Sequence, residues 1–279
     1  MAPLYKKALV IGATSGIGEA LAAKLVSAGT SVIVTGRRQD RLDAFVSKHG
    51  SANASAVAFD ITKLDQLPAV ARSIVEQHPD LDCIVLNSGV QRPFDFARPQ
   101  DVSLESFGDE LITNYLSFVH LVTAFLPHLQ RLVSSNTAGS QQAHLVFVSA
   151  SLGLVPTLVR TPGYNASKAA LHSWITNLRQ QLKDGGYEKI RVIEVFPPAV
   201  QTELHDTKHQ PDLQNGGEIG MPLAVYTDKM YEGLEKGDDQ FAIGPAEPWL
   251  QEGGFEAQRQ TIFEQQHPVI KAALQKFMR

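Results

Sequence analysis

The sequence predicts an α/β fold: a doubly wound, mostly parallel sheet with helices on both faces. Three observations predict it. Short runs of Val, Ile, Leu and Ala alternate with helical patterns along most of the 279 residues. Most of the apolar runs are near-continuous rather than alternating, as strands covered on both faces require. The first run leads directly into a glycine-rich turn and an amphipathic helix, the opening of a strand–helix–strand unit. Such units joined by right-handed crossovers wind a sheet from both sides.

The expected strands cover residues 8–11, 31–35, 56–59, 83–86, 145–148, 191–196 and 241–243. Lys6-Lys7 ahead of the first reads as a solvated strand end. After it, Ile17, Ala20, Leu21, Lys24, Leu25 and Ala28 keep the spacing of a helix with one packed face, and Gly29 stops it. Pro68 suits the first turn of a helix, where a missing N–H has no partner to lose. A long helix is expected from about residue 104 to residue 132, bending near Pro127. No Pro/Ser-rich linker or repeat divides the chain, so residues 1–279 are expected to form one dinucleotide-binding and catalytic domain. Within it, residues 202–221 are rich in His, Asp, Gln and Gly and suit a mobile lid over a substrate site. Residues 247–279 read as a helical extension beyond the sheet.

Composition narrows the class. Hydrophobic residues at 43% and charged residues at 19% suit a soluble enzyme with an ample core. A net charge of -4 argues against nucleic acid as a partner. Cys83 is the only cysteine, which excludes an intrachain disulfide and a cysteine zinc site; its apolar run makes it a small buried hydrophobe. No apolar stretch approaches the roughly 20 residues of a membrane helix. No long apolar segment near the N-terminus suggests secretion, so a cytoplasmic location is expected.

Residues 12–18 read Gly-Ala-Thr-Ser-Gly-Ile-Gly, between the first strand and the first helix. Glycines allow a tight turn and close backbone approach, while the helix N-terminus offers N–H groups and positive dipole to a pyrophosphate. The second strand runs into Gly36-Arg37-Arg38. A carboxylate at that point would bind ribose hydroxyls and select NAD, whereas arginine accommodates a 2′-phosphate. Arg37 and Arg38 therefore favour NADP(H) over NAD(H), through a guanidinium fork that lysine cannot copy.

Tyr164 and Lys168 stand four residues apart, thirteen positions after Ser151. On a helix such a pair shares a face. A free phenol titrates near about 10, and bringing it near neutrality takes roughly 4 kcal/mol. One cation about 4 Å away, at an effective dielectric of about 20, supplies that much. Ser151 would hydrogen-bond a carbonyl oxygen and stabilise the charge that develops on it. Ser149 is the rival serine, read as structural or as a cofactor-loop contact.

With these residues assembled, the chain resembles the short-chain dehydrogenase/reductase family in its single-domain form, over most of residues 4–245. The matching pieces are Gly12 through Gly18, Asp60-Ile61, Asn87-Ser88-Gly89, Asn114, Ser151, Tyr164 with Lys168, and Pro197 through Thr202. The resemblance implies a seven-stranded Rossmann-type sheet, a nicotinamide cofactor, and self-association as a homodimer or homotetramer. It implies carbonyl–alcohol interconversion by Asn114, Ser151, Tyr164 and Lys168, with Asn114 placing a water that links Lys168 to solvent. Cofactor contacts are implied for Gly12, Thr14, Ser15, Gly16, Ile17 and Gly18 in the turn. Asp60 and Ile61 would meet the adenine, and Asn87 and Gly89 would line the adenosine side. Tyr164 and Lys168 fall beside the nicotinamide, and Pro197, Val200 and Thr202 near the carboxamide or pyrophosphate. The chain departs from the family pattern at Ile11, where threonine is frequent, at Ser88, where alanine is usual, and at Pro198, where glycine is usual.

The resulting expectation is an NADP(H)-dependent oxidoreductase acting on a small-molecule carbonyl or secondary alcohol, with Tyr164 as general acid/base. Arg92, Phe94, Phe96, Leu152, Leu154, Leu158 and Tyr226 are expected to form a largely apolar substrate wall. His205, Asp206 and His209 cluster in the loop, but hydride transfer needs no metal and none is assigned. Glu194, inside an apolar strand, receives no role from the sequence. Two alternatives share the fold. A cyclase or isomerase polarising a carbonyl would turn over without consuming NADPH. An NADPH-sensing binding protein would keep its function after Tyr164→Phe.

Overall fold

The computed structural model describes residues 2–135 and 141–277. Residues 1, 136–140 and 278–279, the last two part of the expected C-terminal extension, lie outside the described residues. Seven parallel strands form one sheet: β1 (Lys7–Ile11), β2 (Ser31–Gly36), β3 (Ala54–Ala58), β4 (Cys83–Leu86), β5 (Ala143–Val148), β6 (Ile190–Phe196) and β7 (Gln240–Ala242). Their order is β3-β2-β1-β4-β5-β6-β7. The expected strands are all present, β4 with the expected ends and the others with shifted ones. β3 begins at Ala54, before the expected 56–59, because Ala54 and Ser55 pair with Val32 and Ile33 although they carry little apolar signal. β7 likewise begins at Gln240, opposite Glu194 of β6.

The helices are α1 (Gly16–Ser27), α2 (Gln39–His49), α3 (Leu67–Gln77), α4 (Leu104–Leu111), α5 (Ser117–Ser134), α6 (Pro162–Asp184), α7 (Leu223–Lys236), α8 (Glu247–Leu250) and α9 (Phe255–Gln275). The continuous apolar strands divide their side chains between two cores. Leu9 and Ile11 pack with Phe118, Leu121 and Phe125 of α5 and with Leu171 and Ile175 of α6. Ala8 and Val10 point the other way, toward Leu21 and Leu25 of α1 and Tyr226 and Met230 of α7. Burying a Val, Leu or Ile side chain is worth about 1.5–3 kcal/mol. Such strands are therefore stabilised by helices on both faces. Cys83 is buried in the second of these cores.

The expected continuous helix over residues 104–132 is interrupted. A π turn at Ile112–Leu116 separates α4 from α5, and α5 runs on through Pro127. Pro127 is exposed, so water can satisfy the carbonyl that its missing N–H leaves free. The π turn instead carries the inward-facing Asn114. Strand order reverses between β1 and β4, so the loops at their C-terminal ends diverge and leave a crevice. Among the described residues, no helix is long and apolar enough to cross a membrane.

Candidate active site

The turn after β1 forms one wall of this crevice. Gly12 has φ +81°, and a Cβ there would lie 2.4 Å from Ser88 Oγ. A Cβ on Gly18 would lie 2.3 Å from Gly12 O, so only glycine lets α1 pack this closely on the end of β1. Gly12 N and Ala13 N both donate to Thr35 O, at 3.1 and 2.8 Å. Asn87 Nδ2 donates to Gly12 O at 2.9 Å. Ser15 makes no side-chain cap to α1, which leaves the first N–H groups of that helix open.

A cavity of about 770 Å³ fills the crevice. Of the residues expected at the site, Gly12, Thr14, Ser15, Gly16, Ile17, Arg37, Arg38, Asp60, Ile61, Asn87, Gly89, Lys168, Pro197, Val200 and Thr202 line it. Gly18, Asn114, Ser151 and Tyr164 lie outside its wall. Gly18 is the close-packed spacer behind the turn. Phe59, Thr62, Val90, Gln91 and Ser149 also line the cavity. They are ordinary loop and strand-end residues whose spacing carries no motif.

The two arginines part company. Arg37 is exposed, with no side-chain hydrogen bond to the other described residues. Arg38 donates to Thr14 Oγ1 from Nε at 3.0 Å and to Ser15 Oγ from Nη2 at 2.7 Å. Its Nη1 reaches Glu203 Oε2 at 2.7 Å, and Arg41 Nη1 reaches Glu203 Oε1 at 2.5 Å. Burial works against the Glu203 carboxylate, but the two arginines outweigh it and hold its pKa at about 2. Arg38 therefore ties the turn after β1 to the segment after β6. Arg41 and Glu203 are 162 positions apart, so spacing could not have revealed them. Asp60 Oδ1 accepts from Thr62 N and Oγ1, at 2.9 and 2.8 Å. Burial pushes its pKa up, but these two bonds and the Arg37 charge hold it below the usual carboxylate value.

Tyr164 and Lys168 lie one turn apart on α6, at 7% and 2% exposure, too buried for a surface ion pair. Lys168 Nζ donates to Val148 O at 2.8 Å and stands 5.6 Å from the centre of the Tyr164 ring. Burial lowers the lysine pKa to about 8, with Glu194 acting in the opposite direction. Burial also pushes the Tyr164 phenol up, and Glu110 adds to that. In this arrangement desolvation dominates the phenol, and the short bond of the lysine goes to a backbone carbonyl rather than to the phenol. This differs from the simple pairwise tuning expected from the sequence.

Asn114 is held by three hydrogen bonds. Oδ1 accepts from Val90 N at 2.8 Å, and Nδ2 donates to Val90 O at 2.9 Å and to Ser167 Oγ at 3.0 Å. It thus joins the loop after β4 to α6. Ser151 opens a short 3-10 turn, and its N–H donates to Pro197 O at 3.3 Å. Ser149, in contrast, faces the cavity, and its buried Oγ has no hydrogen-bond partner among the described residues. A buried hydroxyl left unpaired costs about 1–3 kcal/mol, which a bound ligand would recover.

The substrate end differs from expectation. Arg92, Leu152 and Leu158 line the cavity, whereas Phe94, Phe96, Leu154 and Tyr226 do not. Tyr226 is fully buried in the core beneath α7, where its apolar ring is stabilised more than it would be at a wet wall. Phe94 packs on Phe107, while Phe96 is exposed. Leu154 is half-buried just beyond the 3-10 turn. Unforeseen polar contacts dock residues 202–221. Gln210 Nε2 donates to Gln91 Oε1 at 2.8 Å and to Leu204 O at 3.0 Å, and Arg160 holds both Gln210 and Asp212. Val200 bridges to Met221, drawing the ends of the segment together. Glu110, which no sequence spacing marks, is buried over Gly163, and burial raises it to about 7 against the Arg92 N–H bond at 2.5 Å.

The open helix N-terminus, the glycine cradle and the unpaired Ser149 hydroxyl fit a dinucleotide. Fold and site together are those of a Rossmann-type oxidoreductase. The chain belongs to the short chain dehydrogenase family, which it matches over residues 6–212. It is 33% identical over 232 residues to the uncharacterized oxidoreductase DltE of Bacillus subtilis, covering 83% of this chain and 85% of that protein. Two solved structures share the fold. One is a short-chain dehydrogenase from Sphingobium yanoikuyae in complex with NADPH, with TM-score 0.73, 21% identity, and coverage of 92% of this chain and 95% of that one. The other is a short-chain dehydrogenase/reductase from Burkholderia phymatum in complex with NAD, with TM-score 0.74, 20% identity, and coverage of 88% and 91%.

Proposed function

We propose that this protein is an NADP(H)-dependent oxidoreductase that interconverts a carbonyl and a secondary alcohol, with Tyr164 as general acid/base. The observation that carries this reading is the buried Tyr164–Lys168 pair on α6, with Lys168 in the wall of the cavity that the glycine turn also lines. A bound nicotinamide supplies or accepts the hydride. Tyr164 gives or takes the proton at the substrate oxygen, and Lys168 places positive charge beside it. Ser151 orients the carbonyl, and Asn114 holds the loop after β4 against α6. NADP(H) rather than NAD(H) is supported by the open guanidinium of Arg37 and by the lack of a carboxylate at the end of β2. Residues 202–221 serve as the substrate lid, and Arg92, Leu152 and Leu158 favour a largely apolar carbonyl compound of moderate size.

The test is NADPH-linked reduction of a panel of carbonyl compounds. Tyr164→Phe should lower turnover roughly a hundredfold to ten-thousandfold while NADPH affinity stays within about twofold. Substantial remaining turnover would overturn the acid/base role. Ser151→Ala should cost more in kcat than Ser149→Ala; the reverse order would move the carbonyl contact to the serine that faces the cavity.

A further inference from the structure

Beyond the cofactor residues and the acid–base pair, the cavity wall holds a half-buried guanidinium with no counter-ion. Arg92 lies on the loop after β4 and lines the cavity. The loop is fixed around it. Val90 N donates to Asn114 Oδ1 at 2.8 Å, and Arg92 N to Glu110 Oε1 at 2.5 Å. Phe94 N donates to Arg160 O at 2.9 Å, and Asn165 Nδ2, on the first turn of α6, donates to Leu158 O at 2.9 Å. Arg92 and the cavity-lining Leu158 are thereby joined to the end of α6 that carries Tyr164. The side chain is held as well: Nη1 donates to Ser106 O on α4 at 3.0 Å. Its remaining edge, Nε and Nη2, has no acceptor among the described residues, and no carboxylate among them pairs with it. Gln210 Nε2 donates to Gln91 Oε1 at 2.8 Å, which brings the nearby Lys208 and His209 to the same stretch of wall.

The other charges in this wall have partners or roles. Arg38 is paired with Glu203, and Asp60 is held by Thr62. Lys168 serves the proposed acid–base pair, and Arg37 the proposed 2′-phosphate. Asp109 lines the wall from α4 but is exposed and in no ion pair among the described residues, so water screens it. Burial lowers the pKa of His205 and of His209, so both offer hydrogen bonds rather than charge at neutral pH. Positive charge at the substrate end is thus left to Arg92 and Lys208. A half-buried guanidinium without an anion is costly, and a ligand that supplies the anion removes that cost. Nε and Nη2 present two parallel N–H groups, which a carboxylate meets with its two oxygens. Resting on the reading of this cavity as a carbonyl–alcohol site, we propose that the substrate carries a carboxylate, gripped by Arg92 with Lys208 at the mouth, on a body that Leu152 and Leu158 receive. The substrate class is then an apolar oxo acid and its hydroxy acid.

The test offers the full-length protein α-, β-, γ- and δ-oxo carboxylic acids with apolar chains, each beside its methyl ester, for NADPH-linked reduction. The same compounds are titrated calorimetrically into the protein saturated with NADP+, where no hydride is available. At least one acid should exceed its ester roughly tenfold to hundredfold, in affinity and in kcat/KM, chiefly through KM. Arg92→Ala should bring that acid-to-ester ratio close to one, and Lys208→Ala, at an exposed site, should lower it about twofold to fivefold. Lys271→Ala removes a charge that ties α9 to Asp184, away from the cavity, and should leave the ratio unchanged. Esters that equal or exceed their acids throughout the series overturn the proposal, as does a ratio that Arg92→Ala leaves unmoved. Should Arg92→Ala not fold, Arg92→Gln, which keeps a donor for Ser106 O, decides in its place. If no acid or ester is reduced, the carbonyl–alcohol reading falls, while the titration ratios still decide the carboxylate site.

Discussion

The turn after β1 and the segment after β6 border the same cavity but are held by different forces. The turn is a backbone object: Gly12 and Ala13 donate to Thr35 O, and Gly12 O accepts from Asn87. It is formed with the sheet and needs no movement to receive phosphate. The segment over residues 202–221 is held largely by side chains: Gln210 on Gln91, Arg160 on Gln210 and Asp212, Glu203 on Arg38 and Arg41. Each such hydrogen bond contributes about 0.5–1.5 kcal/mol, and an exposed ion pair about 0–1. These contacts can exchange without opening the sheet. The turn is therefore preorganised, whereas the contacts that hold residues 202–221 can be exchanged at modest cost.

Three variants probe that contrast, in falling order of effect. Gly12→Val places a branched side chain at φ +81° and against Ser88, so NADPH binding should be abolished and thermal stability lowered. Calorimetric titration showing near-normal affinity would mean the turn is not preorganised. Arg37→Ala removes a charge-assisted contact worth about 1.5–3 kcal/mol, so NADPH should weaken roughly tenfold to a hundredfold and NADH by less than about twofold. Equal losses would show that Arg37 does not read the 2′-phosphate. Gln210→Ala frees one latch of the segment, so KM for the carbonyl should rise about threefold to tenfold while NADPH affinity holds, given one or two bonds of about 1 kcal/mol each. An unchanged KM, or a loss confined to NADPH, would remove the functional difference between the two regions.

Legibility in the sequence followed the range of the interactions. The strands were legible because apolar runs covered on both faces leave a local signal, and β3 slipped only where Ala54 and Ser55 lack one. The phosphate turn and the Tyr164–Lys168 pair were legible because tight turns and helix faces are set by short spacing. Tyr226 was misplaced on the substrate wall because an apolar residue after a loop reads the same at a cavity or in a core; its full burial beneath α7 shows which. The expected bend at Pro127 gave way to the π turn at Asn114, since the irregularity is held by contacts with Val90 and Ser167 rather than by a helix-breaking residue. Glu194 looked anomalous in an apolar strand, and its partner His172 lies on α6, with Glu256 of α9, more than 60 positions later, on the other side of that imidazole.

By itself the sequence determined the alternation of strands and helices, the glycine turn and the row of chemical groups on α6. Each depends on torsions and side chains within a few residues, where geometry is nearly independent of the rest of the chain. Only the tertiary structure decided which serine faces the cavity, that Arg38 is tied to Glu203 while Arg37 has no such tie among the described residues, and that α9 reaches His172 on α6. Those outcomes depend on charge and burial summed over segments that meet only after the sheet has wound. A charge at a given position has no fixed meaning until its desolvation and its partners are set, and folding sets both together.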